Sequence, residues 1–259
     1  MKNRFNTFRF RTLALGALVA SGLVFGSCNK FDNDDLDNGA NAPLAGLMAF
    51  NLSTDVNALG IALNGNSISN APLAYTSYTG NYVAVYAGDR QVQTFDAASS
   101  TILAQNNFQF DSSRYYSLFL VGTDSNYRNV LVNDNFDSLS GGSGQAYVRY
   151  INAIPDSTAP NVSITAGGNN VVNSPAAYAS VSGFSSVTPG EVTINVTNGG
   201  NISASRTITL AQKKAYTVLL VGNPASTDQA HSVQIRFIEN GTLSDDAGRT
   251  AAARSAAVK

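Results

Sequence analysis

Apolar and polar residues alternate in short runs through the second half of the chain. Ala146–Ile151, Asn161–Thr165, Glu191–Thr197, Ser203–Leu210, Tyr216–Val221 and His231–Ile238 are read as six runs of this kind, and Tyr178–Val187 has room for one or two more. Pro155-Asp156, Gly167-Gly168, Pro189-Gly190 and Asn198-Gly199-Gly200 fall between them. A period of two bounded by turn residues predicts strands, and few segments show helical periodicity. In Val192–Thr197 the apolar side chains share one parity while Thr193, Asn195 and Thr197 share the other. One face of that strand is expected in a core and the other in water.

The pattern occurs twice. Tyr116-Ser-Leu-Phe-Leu-Val-Gly122 lines up with Tyr216-Thr-Val-Leu-Leu-Val-Gly222, Asn51 and Asp55 with Asn152 and Asp156, and Pro72-Leu-Ala-Tyr75 with Pro175-Ala-Ala-Tyr178. Ile61-Ala-Leu63 matches Val162-Ser-Ile164, and the offset stays between 100 and 103. Units of about a hundred residues fold alone, unlike solenoid repeats. About seven short strands per unit predicts an all-β chain of two tandem immunoglobulin-like or transthyretin-like β-sandwiches. Their expected bounds are 44–137 and 145–240. The intervening stretch, 138–144, reads Ser-Leu-Ser-Gly-Gly-Ser-Gly and is expected to be a flexible joint reaching about 15 Å. The tail, 241–259, is Ala-rich, dotted with charge and expected to be disordered.

The N-terminus breaks the pattern. Lys2, Arg4, Arg9 and Arg11 precede the small and apolar run Leu13–Phe25, whose thirteen residues are too few to span a bilayer, which needs about 20. A basic start and a short apolar run predict an export signal over 1–27. Phe25-Gly26-Ser27-Cys28 resembles the lipobox of bacterial lipoproteins, in which the cysteine receives diacylglycerol and becomes the new N-terminus. Cys28 is the chain's one cysteine, so no intrachain disulfide competes for it. Plain secretion with a free thiol is the alternative. The segment 28–43 is acidic, with Asp32, Asp34, Asp35 and Asp37, and is expected to be a solvated tether. Lys30 followed by these aspartates also resembles the signal that sends lipoproteins to the outer face of the outer membrane. The same run makes a poor calcium loop, because no glycine stands at its sixth place and no glutamate at its twelfth.

Charge then narrows the partners. Removing residues 1–27 takes four of sixteen Lys and Arg and none of seventeen Asp and Glu, leaving 232 residues with a net charge of −5. No basic stripe remains for nucleic acid.

Val148-Arg-Tyr-Ile-Asn-Ala-Ile-Pro-Asp156, Ala159-Pro-Asn-Val-Ser-Ile164, Tyr178-Ala-Ser-Val-Ser-Gly183, Pro189-Gly-Glu-Val-Thr-Ile194 and Tyr216-Thr-Val218 resemble the domain-of-unknown-function family numbered 4397. In the first copy Thr54-Asp55 and Ala87-Gly88 stand for the Pro-Asp and Pro-Gly pairs. The resemblance implies exported β-sandwiches, often in tandem behind a lipobox, and brings no catalytic residues.

Candidate chemistry is sparse. His231 is the one histidine, so no His/Cys zinc cluster, Cys-His pair or multi-histidine site can form, and it reads as a surface or strand-edge residue. No nucleophile elbow and no phosphate-cradling glycine loop occur, and carboxylate pairs leave no sequence spacing to read. No catalytic residue, metal or cofactor is therefore expected. Tyr78, Tyr82 and Tyr86 share a parity and are a candidate sugar-stacking face, with Val181, Ser185 and Thr188 as their expected counterparts in the second copy. The alternative is ordinary packing of half-buried tyrosines. Asp137-Ser138-Leu139 and Asp156-Ser157-Thr158 resemble bacterial O-glycosylation acceptors, making Ser138 and Ser157 candidate sites.

The expected protein is a non-enzymatic cell-envelope lipoprotein, anchored to the outer membrane through lipid on Cys28 and exposed at the cell surface or on the periplasmic face. It would bind or display, by glycan capture or adhesion. The alternative is a structural spacer or accessory subunit of an envelope protein complex.

Overall fold

The structure, a computed structural model, describes residues 42–141, 144–156 and 158–244. The signal peptide with Phe25, Gly26 and Ser27, the lipidation candidate Cys28, the tether to residue 41, Ser157 and the tail from 245 lie outside the described residues. The first repeat contributes β1 (Leu44–Asn51), β2 (Leu59–Leu63), β3 (Asn66–Ser67), β4 (Val83–Tyr86), β5 (Gly88–Asp96), β6 (Ile102–Phe110), β7 (Tyr115–Val121) and β8 (Arg128–Asn133). The second contributes β9 (Ala146–Asn152), β10 (Asn161–Ala166), β11 (Asn169–Pro175), β12 (Ser185–Val187), β13 (Gly190–Thr197), β14 (Ser203–Leu210), β15 (Lys214–Val221) and β16 (Gln234–Thr242).

Each repeat folds into two four-stranded sheets, β4-β1-β7-β8 over β3-β2-β5-β6 and β12-β9-β15-β16 over β11-β10-β13-β14. The first and seventh strands of each repeat pair in parallel, β1 with β7 and β9 with β15, and all other pairs are antiparallel. The first and second strands lie in different sheets, whereas in an immunoglobulin sandwich they share one. Tyr116 and Tyr216 each accept a hydrogen bond from the backbone N–H five residues upstream, of Asp111 at 3.0 Å and Ala211 at 3.1 Å. These ties hold the turn before β7 and β15, as a tyrosine corner does.

The repeated asparagines explain themselves in the fold. Asn51 and Asn152 end β1 and β9, fully buried, and their amides donate to carbonyls of the following loops, Val56 and Leu73 for one and Ala176 for the other. Their Oδ1 atoms accept from Ser53 N–H and Ile154 N–H. A buried carboxamide satisfied on both ends fixes the loop that crosses between sheets.

The outer sheets follow the expected alternation: Val192, Ile194 and Val196 of β13 are fully buried in the second core. The sheets β4-β1-β7-β8 and β12-β9-β15-β16 do not. Every residue of β7 and β9 is buried, because these sheets have a core on one face and the other repeat on the opposite face. On β1, Ala45, Leu47 and Ala49 face the first core, while Met48 and Phe50 meet Ile151, Leu219 and Val221 from the second repeat. Phe50 stacks on Phe119 at 4.7 Å between centroids. Five fully buried apolar side chains at about 1.5–3 kcal/mol each rival the roughly 5–15 kcal/mol net stability of a domain. The expectation of two units that fold alone on either side of a flexible joint is thereby corrected.

The joint itself is also built. Phe136–Ser138 forms a short 3-10 helix, Leu139 is buried with Tyr147, Ala215 and Leu243, and the Tyr147 hydroxyl both accepts from Ser140 N–H and donates to Ser140 O. The Gly141 Cα abuts the Ser244 carbonyl, where a Cβ would lie 2.3 Å from the oxygen. The Ser and Gly content of 138–144 concealed one apolar anchor, Leu139. At the other boundary β16 runs to Thr242 and Leu243 is buried, so ordered structure passes residue 240.

Candidate functional site

The three tyrosines do not form one face. Tyr78 lies outside the strands, bridges Phe50 and stacks on its ring at 5.4 Å. Tyr82 precedes β4, packs edge-on against Tyr115 and Phe136, and places its hydroxyl between the repeats. Tyr86 alone is largely exposed, at 63%. Tyr78 and Tyr82 pack against the cluster shared with the second repeat, so two of the three rings are packing residues. The counterpart of Tyr82 is also corrected. Val83 pairs with Leu47 and Ser185 with Val148 at equivalent places, which sets Tyr82 opposite Phe184 rather than Ser185 in the repeat.

At the centre of the interface lies a polar cluster that sequence reading missed. Arg149 of β9, 2% exposed, reaches across to Asp134, 1% exposed, with Nη2 2.6 Å from Oδ1. Arg149 also donates to the Ser117 and Thr217 hydroxyls at 2.9 and 3.0 Å, and its guanidinium lies over the Phe184 ring at 4.5 Å. Tyr82 and Ser117 hydroxyls donate to Asp134 Oδ2 at 2.5 and 2.9 Å. Thr217 donates to Asn240 Oδ1, and the Asn240 amide donates to the Tyr82 oxygen. Burial pushes the Asp134 carboxyl above its ordinary value of 3.8, with Arg149 and the hydroxyl donors opposing. Burial and the adjacent carboxylate push the Tyr82 hydroxyl well above the usual tyrosine range.

The cluster has a pseudo-twofold plan. Met48 stands opposite Ser117 as Arg149 stands opposite Thr217, and Asp134 and Asn240 each follow the residue that faces Tyr116 or Tyr216. Met48 and Asn240 are therefore the neutral counterparts of the ion pair. Two signals were present in the sequence. Ser117 and Thr217 interrupt the repeated apolar run at the same place, and Arg149 is a lone charge among Tyr147, Val148, Tyr150 and Ile151.

Around the rim, Tyr75 and its repeat counterpart Tyr178 each reach across. The Tyr75 ring stacks on His231 at 5.3 Å, and Arg128 sits over the Tyr178 ring at 5.0 Å. Burial raises the Tyr75 hydroxyl to about 12. His231 lies in the turn before β16, its Nδ1 2.6 Å from Asp228 Oδ2. Ser138 is exposed, and its hydroxyl donates to Asn135 O at 2.8 Å. Among the described residues, no group of three or more His, Cys, Asp or Glu side chains converges to hold a metal, and no helix is long and apolar enough to cross a membrane.

The far face of each outer sheet is open to solvent. On the second repeat Thr193 and Thr207 share a hydrogen bond at 3.0 Å, Asn161 donates to Asn173 and Asn195 to Ser163. On the first, Gln93 donates to Gln105 at 2.7 Å, beside Gln91 paired with Asn107. Both faces are dominated by uncharged hydroxyls and carboxamides.

Fold and site together define a tandem all-β chain whose two sandwiches are joined through an apolar interface with a buried ion pair at its centre. The chain belongs to the family of the domain of unknown function DUF4397, whose sequence pattern matches residues 45–158 and 146–255. No curated protein matches it. Among solved structures, it is similar to a candidate cell adhesion protein from Bacteroides uniformis, at 11% identity and a TM-score of 0.22, covering 77% of this chain and 97% of that one. A second likeness is the family CBM26 module CBMbc of Eubacterium rectale Amy13K with maltoheptaose, at 10% identity, the same TM-score, and 74% and 96% coverage. At such scores neither assigns a ligand to this chain.

Proposed function

We propose that the mature chain is a non-enzymatic binding or display module of the cell envelope, held at the outer membrane by lipid on Cys28 and working by glycan capture or adhesion. The observation that carries the reading is the division of its surfaces. The inner sheets and the buried ionisable groups are consumed in locking two sandwiches together, while the outer sheets offer neutral hydroxyls and carboxamides. Such groups suit an uncharged polyhydroxyl ligand, which can both donate and accept. Tyr86 is the one candidate stacking ring left exposed. Binding of the full chain to a glycan array, lost in Gln93→Ala/Gln105→Ala or in Tyr86→Ala, is the expected result. Absence of any glycan signal, with one envelope protein co-purifying after crosslinking, would instead support the second reading, a rigid spacer or accessory subunit. That reading draws on the buried interface, which suits transmission of position better than a flexible joint.

Anchoring has its own test. Two or three acyl chains hold firmly, at about 0.8 kcal/mol per buried methylene. Cys28→Ser should release the protein from washed membranes, and full retention would remove lipid anchoring from the proposal.

A further inference from the structure

Exposed sheet edges pair with other strands unless something blunts them, by shortness, charge, proline or a bulge. Most edges here are blunted. β3, β4 and β12 have two, four and three residues. β8 carries Arg128 and β16 carries Arg236 and Glu239. β11 is bulged against β10 and ends at Pro175. β14 carries Arg206, which reaches over to the neighbouring sheet, donating to Ile235 O at 2.8 Å and lying over the Phe237 ring.

β6 differs. It is the outer strand of β3-β2-β5-β6, nine residues long, reading Ile-Leu-Ala-Gln-Asn-Asn-Phe-Gln-Phe. It has no charge, no proline and no glycine, and its one irregularity lies near Leu103, leaving Ala104–Phe110 in regular register with β5. Asn106 stands opposite Val92 as Arg206 stands opposite Ile194, so the first repeat has an exposed amide where the second has its covering guanidinium. Ile102, at the start of the strand, is 54% exposed and is one of two large hydrophobic residues so exposed among the described residues.

We propose that β6 is a self-association edge, pairing antiparallel with β6 of a second copy of this chain. Self-complementarity selects that occupant. A two-fold axis at Asn107 sets Gln105 against Gln109 of the other copy, and Asn106 against Phe108. Carboxamide then meets carboxamide on the outward face, extending the Gln93 to Gln105 row, and no charge from either edge has to be desolvated. A partner strand bearing charge would meet nothing to pair with it on this edge. The contact is isologous and closes as a dimer rather than growing into a filament. It joins two four-stranded outer sheets into one eight-stranded sheet with a continuous carboxamide face.

The test uses the full chain carrying Cys28→Ser, which removes its one thiol. Sedimentation velocity up to about 100 μM should show a dimer, a concentration range in which a micromolar association is filled. Asn106→Arg, which copies the second repeat, and Gln109→Lys should each weaken association at least ~10-fold while circular dichroism and the melt stay β-type and cooperative. Asn107→Cys in the same background should form a disulfide-linked dimer under mild oxidation, and Thr207→Cys, at the matching place on β14, should not. A monomer throughout the concentration range overturns the proposal. So does a dimer unchanged in both charged variants, or crosslinking through Thr207→Cys and not Asn107→Cys.

Discussion

Arg149 and Asp134 break the symmetry of the repeats at a place in the interface closed to solvent. Removing one partner of a fully buried pair leaves an uncompensated charge and costs about 3–5 kcal/mol, whereas replacing both by neutral groups of similar size is often near neutral. The protein contains its own template for the neutral version in Met48 and Asn240. Arg149→Met and Asp134→Asn should each lower stability to denaturant by about 3 kcal/mol, and the double variant should return to within about 1–2 kcal/mol of the wild type. Additive losses would mean the two groups act separately. The carboxylates also give opposite pH signatures. Burial raises Asp55, but hydrogen bonds from Asp124 N–H and the Tyr127 and Ser53 hydroxyls outweigh it and leave it below its ordinary 3.8. Its contribution is present above 3.8 and is lost as pH falls through the depressed value. The raised carboxyl of Asp134 contributes fully below 3.8 and loses that contribution as pH rises through its folded value. Melting between about pH 3 and pH 6 should show the deficit of Asp55→Asn growing with pH and that of Asp134→Asn shrinking. Parallel pH dependence of the two deficits would refute these assignments.

At the scale of elements, the repeated glycines are the points where the chain has least choice. Gly122 and Gly222 follow β7 and β15 at φ +134° and +108°, and a Cβ would fall 2.4 Å from Asn126 O or 2.1 Å from Ser232 O. Either glycine replaced by Ala should cost about 2–4 kcal/mol through strain and clash together. Gly199→Ala, at φ +74° with nothing within 4 Å, should cost only about 1–2 kcal/mol. Equal losses at the three sites, read from urea midpoints, would show that close approach is not the cause. The same motif shows what was legible. β13 and β14 could be read because one face is wet and alternation survives; β11 was missed because Asn169–Pro175 is mostly polar and marginally buried. For β7 and β15 the strands were legible but their surroundings were not. Leu118–Val121 and Leu219–Val221 are unbroken apolar runs, the signature of burial on both faces. Tyr78 and Tyr82 were misplaced for the same reason: parity locates a face and says nothing of what covers it.

For the whole molecule, the repeat boundary that sequence identity marks is not a boundary of stability. A half-chain ending at the joint would expose Phe50 and Phe119, or Ile151 and Leu219, and strand one charge of the central pair. The two sandwiches should therefore open together. Hydrogen exchange of the full chain, read separately over Tyr115–Val121 and Lys214–Val221, tests this most directly. Both segments should show the same opening free energy, and Arg149→Ala, a change in the second repeat, should lower both by the same amount. Loss of protection confined to Lys214–Val221, with Tyr115–Val121 unaffected, would contradict a single locked body.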